Sequence, residues 1–238
     1  MTQSDFRTSI VSSFDLMNSL GLTDWSRFPN QKNLAVDDEF KKVILNSTSK
    51  YEDIYRSALG LAHYNFILED YSFFQFSIHG IGDHQSMRYA FYPNPYLVSD
   101  TFEGFSKDMI TEGEVFVLGE LYSQELDEAE LSFLVPPIRY DYEPQSYLPT
   151  KHPAAHLHIG VFQSSRVALR RQLSPLAFTF FVAKNYYPIE WAKGEDLDPV
   201  GDGFLNSFDR KFALSKKDCA LLNKELFSEA DESLPYLD

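Results

Sequence analysis

The chain has 238 residues, 44% of them apolar and 16% aromatic, so it has ample surface to bury and is expected to fold as one domain rather than stay disordered. A net charge of −14 argues against a surface that broadly attracts nucleic acid, and the longest nearly apolar run, residues 175–183, is far too short to span a bilayer. There is no basic leader ahead of an apolar core, and the lone Cys219 cannot form an internal disulfide, so the expected location is the cytoplasm.

Phe6, Ile10, Phe14, Met17 and Leu20 recur at helical spacing, with Ser4 placed to cap the start and Gly21 to end the helix. Residues 37–45 and 51–58 predict two further short helices, which makes residues 1–60 a helical N-terminal part. The pattern then changes. Residues 64–68 and 72–78 are aromatic and β-branched runs flanking Glu69, Asp70 and Tyr71, as in a hairpin, and residues 87–92 supply a third strand before Pro93 and Pro95. Residues 114–126 are read as a helix, although their periodicity arbitrates poorly against a strand. Strands follow at residues 135–142 and 155–162, joined by a connection broken at Pro144, Pro149 and Pro153, so that the sheet occupies residues 61–165.

Residues 174–238 are read as C-terminal helices. Ser174 at the cap, Pro175 at the first helical position and Pro188 as a stop frame the first of them, with Leu176, Phe180, Ala183 and Tyr187 as its apolar stripe. Residues 194–203 form an acidic loop, and Ser215 with Asp218 resembles a capping box before Leu221, Leu222 and Leu226. Cys219 is read as a small core residue of that helix, and the acidic tail beyond Ser228 is expected to fray. The expected architecture is α+β, a mainly antiparallel sheet with N-terminal and C-terminal helices packed on it.

The charge is unevenly spread. Residues 144–189 contain no acid at all, while holding Lys151, Arg166, Arg170, Arg171, Lys184 and three of the six histidines. A locally basic segment on an acidic body suggests a defined anionic ligand. Inside it, strand alternation puts His156 and His158 on one face, and the same rule gives Arg139 and Asp141 a common face in the preceding strand. If the two strands pair in matching register, all four side chains converge, with His152 reaching the edge from the connecting loop.

Three readings of that cluster stay open. The histidines and Asp141 could hold a divalent metal such as zinc or manganese. The imidazoles could serve as general acid and base on a phosphodiester while Arg139 and Arg170 or Arg171 meet the developing charge. Or the group is a satisfied polar core. Arg166, Arg170 and Arg171, just ahead of the Ser174 cap, are read together with His152 as substrate-binding residues for an anion at a helix start. His79, Asp83 and His84 lie in a glycine-containing turn that needs no ligand to explain it, and the echo of the Arg139 and Tyr140 pair in Arg88 and Tyr89 is short enough to be read as chance. The chain carries no phosphate loop, dinucleotide fingerprint or serine elbow.

The ordered segments YSFFQFS, RYAFYPNPY, PPIRYDYEP, HPAAHLHIG, RRQLSP and FFVAKNYYPIEW resemble a bacterial family catalogued as domain of unknown function 2290, over roughly residues 51–226. Members of that family are encoded beside helicases in antiviral defence loci, so the resemblance implies a cytoplasmic component of a two-gene antiphage system with a helicase partner. It implies no established activity. The RYD segment followed by paired histidines is also similar to a pattern in small toxin-like proteins of toxin and antitoxin modules. Together these readings lead to two expectations. One is a nuclease effector using His156, His158, Asp141 and Arg139, with or without a divalent metal, on nucleic acid held by the basic patch. The other is a non-catalytic adaptor that docks on the helicase.

Overall fold

A computed structural model of the chain describes residues 1–27, 29–30, 34–36, 38–46, 48–96, 135–161, 165–194 and 205–238. The expected helix at 114–126 and the acidic loop beyond Gly194 lie outside the described residues. The first helix, α1 (Gln3–Ser19), begins two residues earlier than Ser4 would place it. Thr2 is the cap: its hydroxyl accepts from the Asp5 backbone N–H, and the Asp5 carboxylate accepts in return from the Thr2 N–H. The helix ends at Gly21, whose φ of 74° is the left-handed conformation glycine adopts without strain. Two short helices follow, α2 (Asp38–Leu45) and α3 (Tyr51–Gly60).

Six strands then form one antiparallel meander in chain order, β1 (Phe66–Ile67), β2 (Phe73–His79), β3 (Ser86–Tyr92), β4 (Ile138–Tyr142), β5 (Ala155–Ile159) and β6 (Val167–Ala168). The α+β class expected from the sequence is the one observed. Two-residue strands β7 (Arg171–Gln172) and β8 (Ala220–Leu221) pair with each other beside it. The C-terminal part adds α4 (Pro175–Tyr186), α5 (Pro188–Ala192), α6 (Ser207–Asp218) and α7 (Glu229–Glu232). Among the described residues no helix is long and apolar enough to cross a membrane.

The sheet is covered differently on its two faces, and that difference positions the site. On one face Phe74, Phe76, Tyr89, Phe91, Tyr140 and Leu157 pack against Phe6, Ile10, Phe14 and Met17 of α1 and Phe178 of α4. Two tyrosines tether α4 there: Tyr89 donates its hydroxyl to the Leu173 carbonyl, and the Leu173 N–H donates to the Tyr140 hydroxyl. Ser174 then caps the helix as the sequence predicts, accepting from the Ala177 N–H. On the other face Phe73, Ala90 and Tyr92 meet Phe40, Tyr51, Ile54, Tyr55 and Ala58 of α2 and α3. Because paired residues share a face, the same side of the sheet continues past this apolar patch into Ser77, Arg88, Arg139, Asp141, His156 and His158.

The C-terminal third departs from expectation in four places. Helix α4 buries Ala177, Phe178, Thr179 and Val182 as well as Phe180 and Ala183, because it runs over the sheet with α1 and α6 beside it, so no simple stripe describes it. Pro188 does stop α4, and it also opens α5, since a proline at the first helical position lacks only an N–H that has no helical partner. Ser215 lies inside α6 rather than at a cap; the capping box is Asn206 with Asp209, and Cys219 is the buried residue that closes the helix. The acidic tail is docked rather than frayed. Asp231 is buried and accepts from the Tyr147 hydroxyl and the Thr150 N–H, and Leu237 bridges Leu169 as an extra length of edge.

Candidate active site

Register builds the site. β3 and β4 pair Arg88 with Asp141 and Ala90 with Arg139, and β4 and β5 pair Asp141 with His156 and Arg139 with His158. Asp141 lies at the centre of these pairings. Asp141 Oδ1 accepts from Arg88 Nε at 3.0 Å. Its Oδ2 accepts from Arg139 Nε at 3.0 Å and faces Arg139 Nη2 at 2.9 Å, His158 Nε2 at 3.3 Å and His156 Nε2 at 4.0 Å. Asp141, His156 and His158 form a buried floor, only 2%, 1% and 2% exposed. The half-buried rim is Arg88, Arg139, Glu143 and His152, with Glu143 within 3.9 Å of both Arg88 Nη2 and His152 Nε2. The His152, His156 and His158 rings run in a row, edge to face, with centroids 5.1 and 4.8 Å apart.

Burial alone would push the Asp141 carboxyl up, but the His158 contact and the Arg88 and Arg139 guanidiniums outweigh it and hold the group well below the usual carboxylate range. His156 moves the other way from its usual value of 6.5: burial pushes the imidazole down to about 4, against the opposing pull of Asp141. The His156 Nδ1 lies 2.8 Å from the Pro153 carbonyl oxygen. That acceptor requires the proton on Nδ1, which leaves the Nε2 lone pair of a neutral ring pointing into the cluster. The Nδ1 atoms of His152 and His158 are buried with no hydrogen-bond partner.

This arrangement makes stability acid-sensitive. Between pH 6.5 and about 4 the unfolded chain protonates the His156 ring and the native chain does not. The unfolded state therefore binds more protons, and stability falls with acidity by up to about 3 kcal/mol for this one group. Asp141, depressed in the native state, adds a loss in the same direction at still lower pH. Urea unfolding of the native chain should weaken from pH 7 to pH 5 by roughly 2 kcal/mol more than that of His156→Gln. Parallel curves for the two proteins would mean that the ring is not held neutral by its surroundings.

The metal reading fits the donor atoms better than it fits the charges. Asp141, His156 and His158 offer three ligand atoms within 4.8 Å of one another, the one such group among the described residues. Yet both Asp141 oxygens already accept from guanidiniums, so the carboxylate that a divalent ion would need is committed to two arginines, while Glu143 balances the second of them at the rim. A divalent ion inserted beside them would be repelled by roughly 4 kcal/mol per pair of unit charges at 4 Å, even at the screening of a protein surface. The guanidinium N–H groups not taken by Asp141 suit an anion instead.

The other sequence-predicted residues fall elsewhere. Arg170 pairs with Glu232 at 3.0 Å, and Arg171 pairs with Asp238 at 3.0 Å while donating to the Cys219 carbonyl, so these two fasten the C-terminal tail. Arg166 is exposed and His79 and His84 sit at an exposed turn. The residue that sequence reasoning passed over is Arg88. Its echo of Arg139 and Tyr140 is the signature of two meander strands that turn an arginine toward the same carboxylate.

A family model described as an uncharacterized conserved protein, DUF2290, matches residues 22–234. No curated protein and no solved structure matches the chain.

Proposed function

We infer that this chain, which belongs to the DUF2290 family, is a phosphodiester-directed effector acting with a helicase partner in a two-gene antiphage defence system in the cytoplasm. The observation that carries the chemistry is the pairing of two guanidiniums with one carboxylate beside a neutral imidazole whose Nε2 lone pair faces the cluster. Arg88 gives its Nε to Asp141 and turns its terminal nitrogens to the rim, where a phosphoryl group would share them with Glu143; Arg139 offers the part of its fork that Asp141 does not take. His156 is then a base that is already unprotonated at neutral pH, and Asp141 orients His158 as the second imidazole. The helicase and the defence setting come from the family resemblance.

One observation favours a second reading, a non-catalytic adaptor that binds the helicase: the floor residues are as buried as core residues, and a satisfied polar core would look similar. NMR of the two imidazoles separates them. Adding inorganic phosphate should shift the His156 and His158 ring signals of the native protein, and Arg88→Gln with Arg139→Gln should abolish the shift. Unmoved ring signals in the native protein would decide for the adaptor.

A further inference from the structure

We propose that the substrate of this site is RNA, cleaved without a metal ion by attack of a ribose 2′-hydroxyl on the adjoining phosphate, with a 2′,3′-cyclic phosphate as product. The inference rests on the phosphodiester reading above and adds the substrate class and the nucleophile. A DNA strand carries no nucleophile of its own, and the water that most often splits it is usually activated on metal ions held by free carboxylates. Here the one buried carboxylate of the cluster has both oxygens taken by Arg88 and Arg139, so the floor offers no free carboxylate to hold such an ion. RNA carries its nucleophile within the substrate, and an intramolecular hydroxyl needs only a base, a donor for the leaving oxygen and positive charge for the phosphate.

The cluster supplies all three. His156 has its Nδ1–H committed to the Pro153 carbonyl, and its Nε2 takes the proton from the 2′-hydroxyl as the O2′–P bond forms. The charge that builds on the non-bridging oxygens meets Arg88 and Arg139. The P–O5′ bond breaks, and the leaving oxygen takes a proton from His158, the imidazole that Asp141 orients through its Nε2. One proton is gained by His156 and one lost by His158, and exchange with solvent restores both. No oxidant, reductant or further reactant is required.

The test offers the purified full chain three labelled single strands of one sequence, as RNA, as DNA and as 2′-O-methyl RNA, each in chelator and each with manganese. The RNA alone should be cut, equally with and without metal, leaving cyclic phosphate ends, and His156→Gln should slow the cutting by about 10²–10⁴-fold. The methylated strand removes the nucleophile while leaving the protein untouched, so this arm does not depend on any variant folding. Cutting of DNA or of the methylated strand, or cutting only with manganese, would overturn the RNA inference and leave the phosphodiester reading standing. Failure to cut any strand in either condition would overturn both.

Discussion

Asp141→Ala should lower the stability of the native chain by about 3 kcal/mol or more, the largest loss expected from any single change at the site. The reason is asymmetry. The carboxylate is 2% exposed and accepts from two guanidiniums, so its removal strands two positive charges against each other in a poorly solvated place. The arginines reach the rim, where water relieves part of the strain, which sets the expectation at the lower end of the range for broken buried pairs. Asp141→Asn keeps an acceptor and loses only the charge, so it should fall between the two. Replacing all three partners by Leu at 141 and Met at 88 and 139 should recover much of the loss, because apolar groups of similar volume leave no charge unpaired. Equilibrium urea unfolding of the four proteins at pH 7 checks this. A midpoint for Asp141→Ala equal to that of the native chain would mean that the ion pairs contribute nothing.

The parts of this site that were legible in the sequence are the parts that depend only on alternation. Arg139 with Asp141, and His156 with His158, had to share faces once residues 138–142 and 155–159 were strands, and antiparallel neighbours in a meander bring those faces together. Arg88 was hidden because its place depends on the β3 to β4 register across an intervening stretch of more than forty residues, and spacing says nothing about register over that distance. The tail failed for the opposite reason. Local composition reads residues 229–238 as solvated acid, but Glu232 and Asp238 have Arg170 and Arg171 waiting, and Asp231 is buried against Tyr147. The same contacts removed those arginines from the anion site that local charge suggested. Ser215 misled because its spacing to Asp218 mimics a capping box inside a helix that had already begun at Asn206.

On the defence role proposed above, changing His156 and His158 together to Ala should abolish protection from phage in cells that carry the helicase gene, while the protein stays folded and still binds the proposed helicase partner. Folding should survive because Asp141 keeps Arg88 and Arg139, so no charge is left unpaired. The structural loss is two buried rings, the His158 contact to Asp141, and the donor to the Pro153 carbonyl, the last at a cost of about 1–3 kcal/mol. Activity has no such reserve. Each imidazole that moves a proton contributes about 10²–10⁴-fold, and groups that act as one unit are not additive, so either single change should remove nearly as much as the pair. His156→Gln and His158→Gln, which fill the space and keep a hydrogen-bonding group, should be as inactive as the alanines if proton transfer is the role. If the rings only hold the core together, the glutamines should instead restore protection in step with their restored stability. Phage plating, soluble protein level and partner co-purification, read on the same six strains, separate these outcomes: full protection by the double alanine variant removes the histidines from the chemistry.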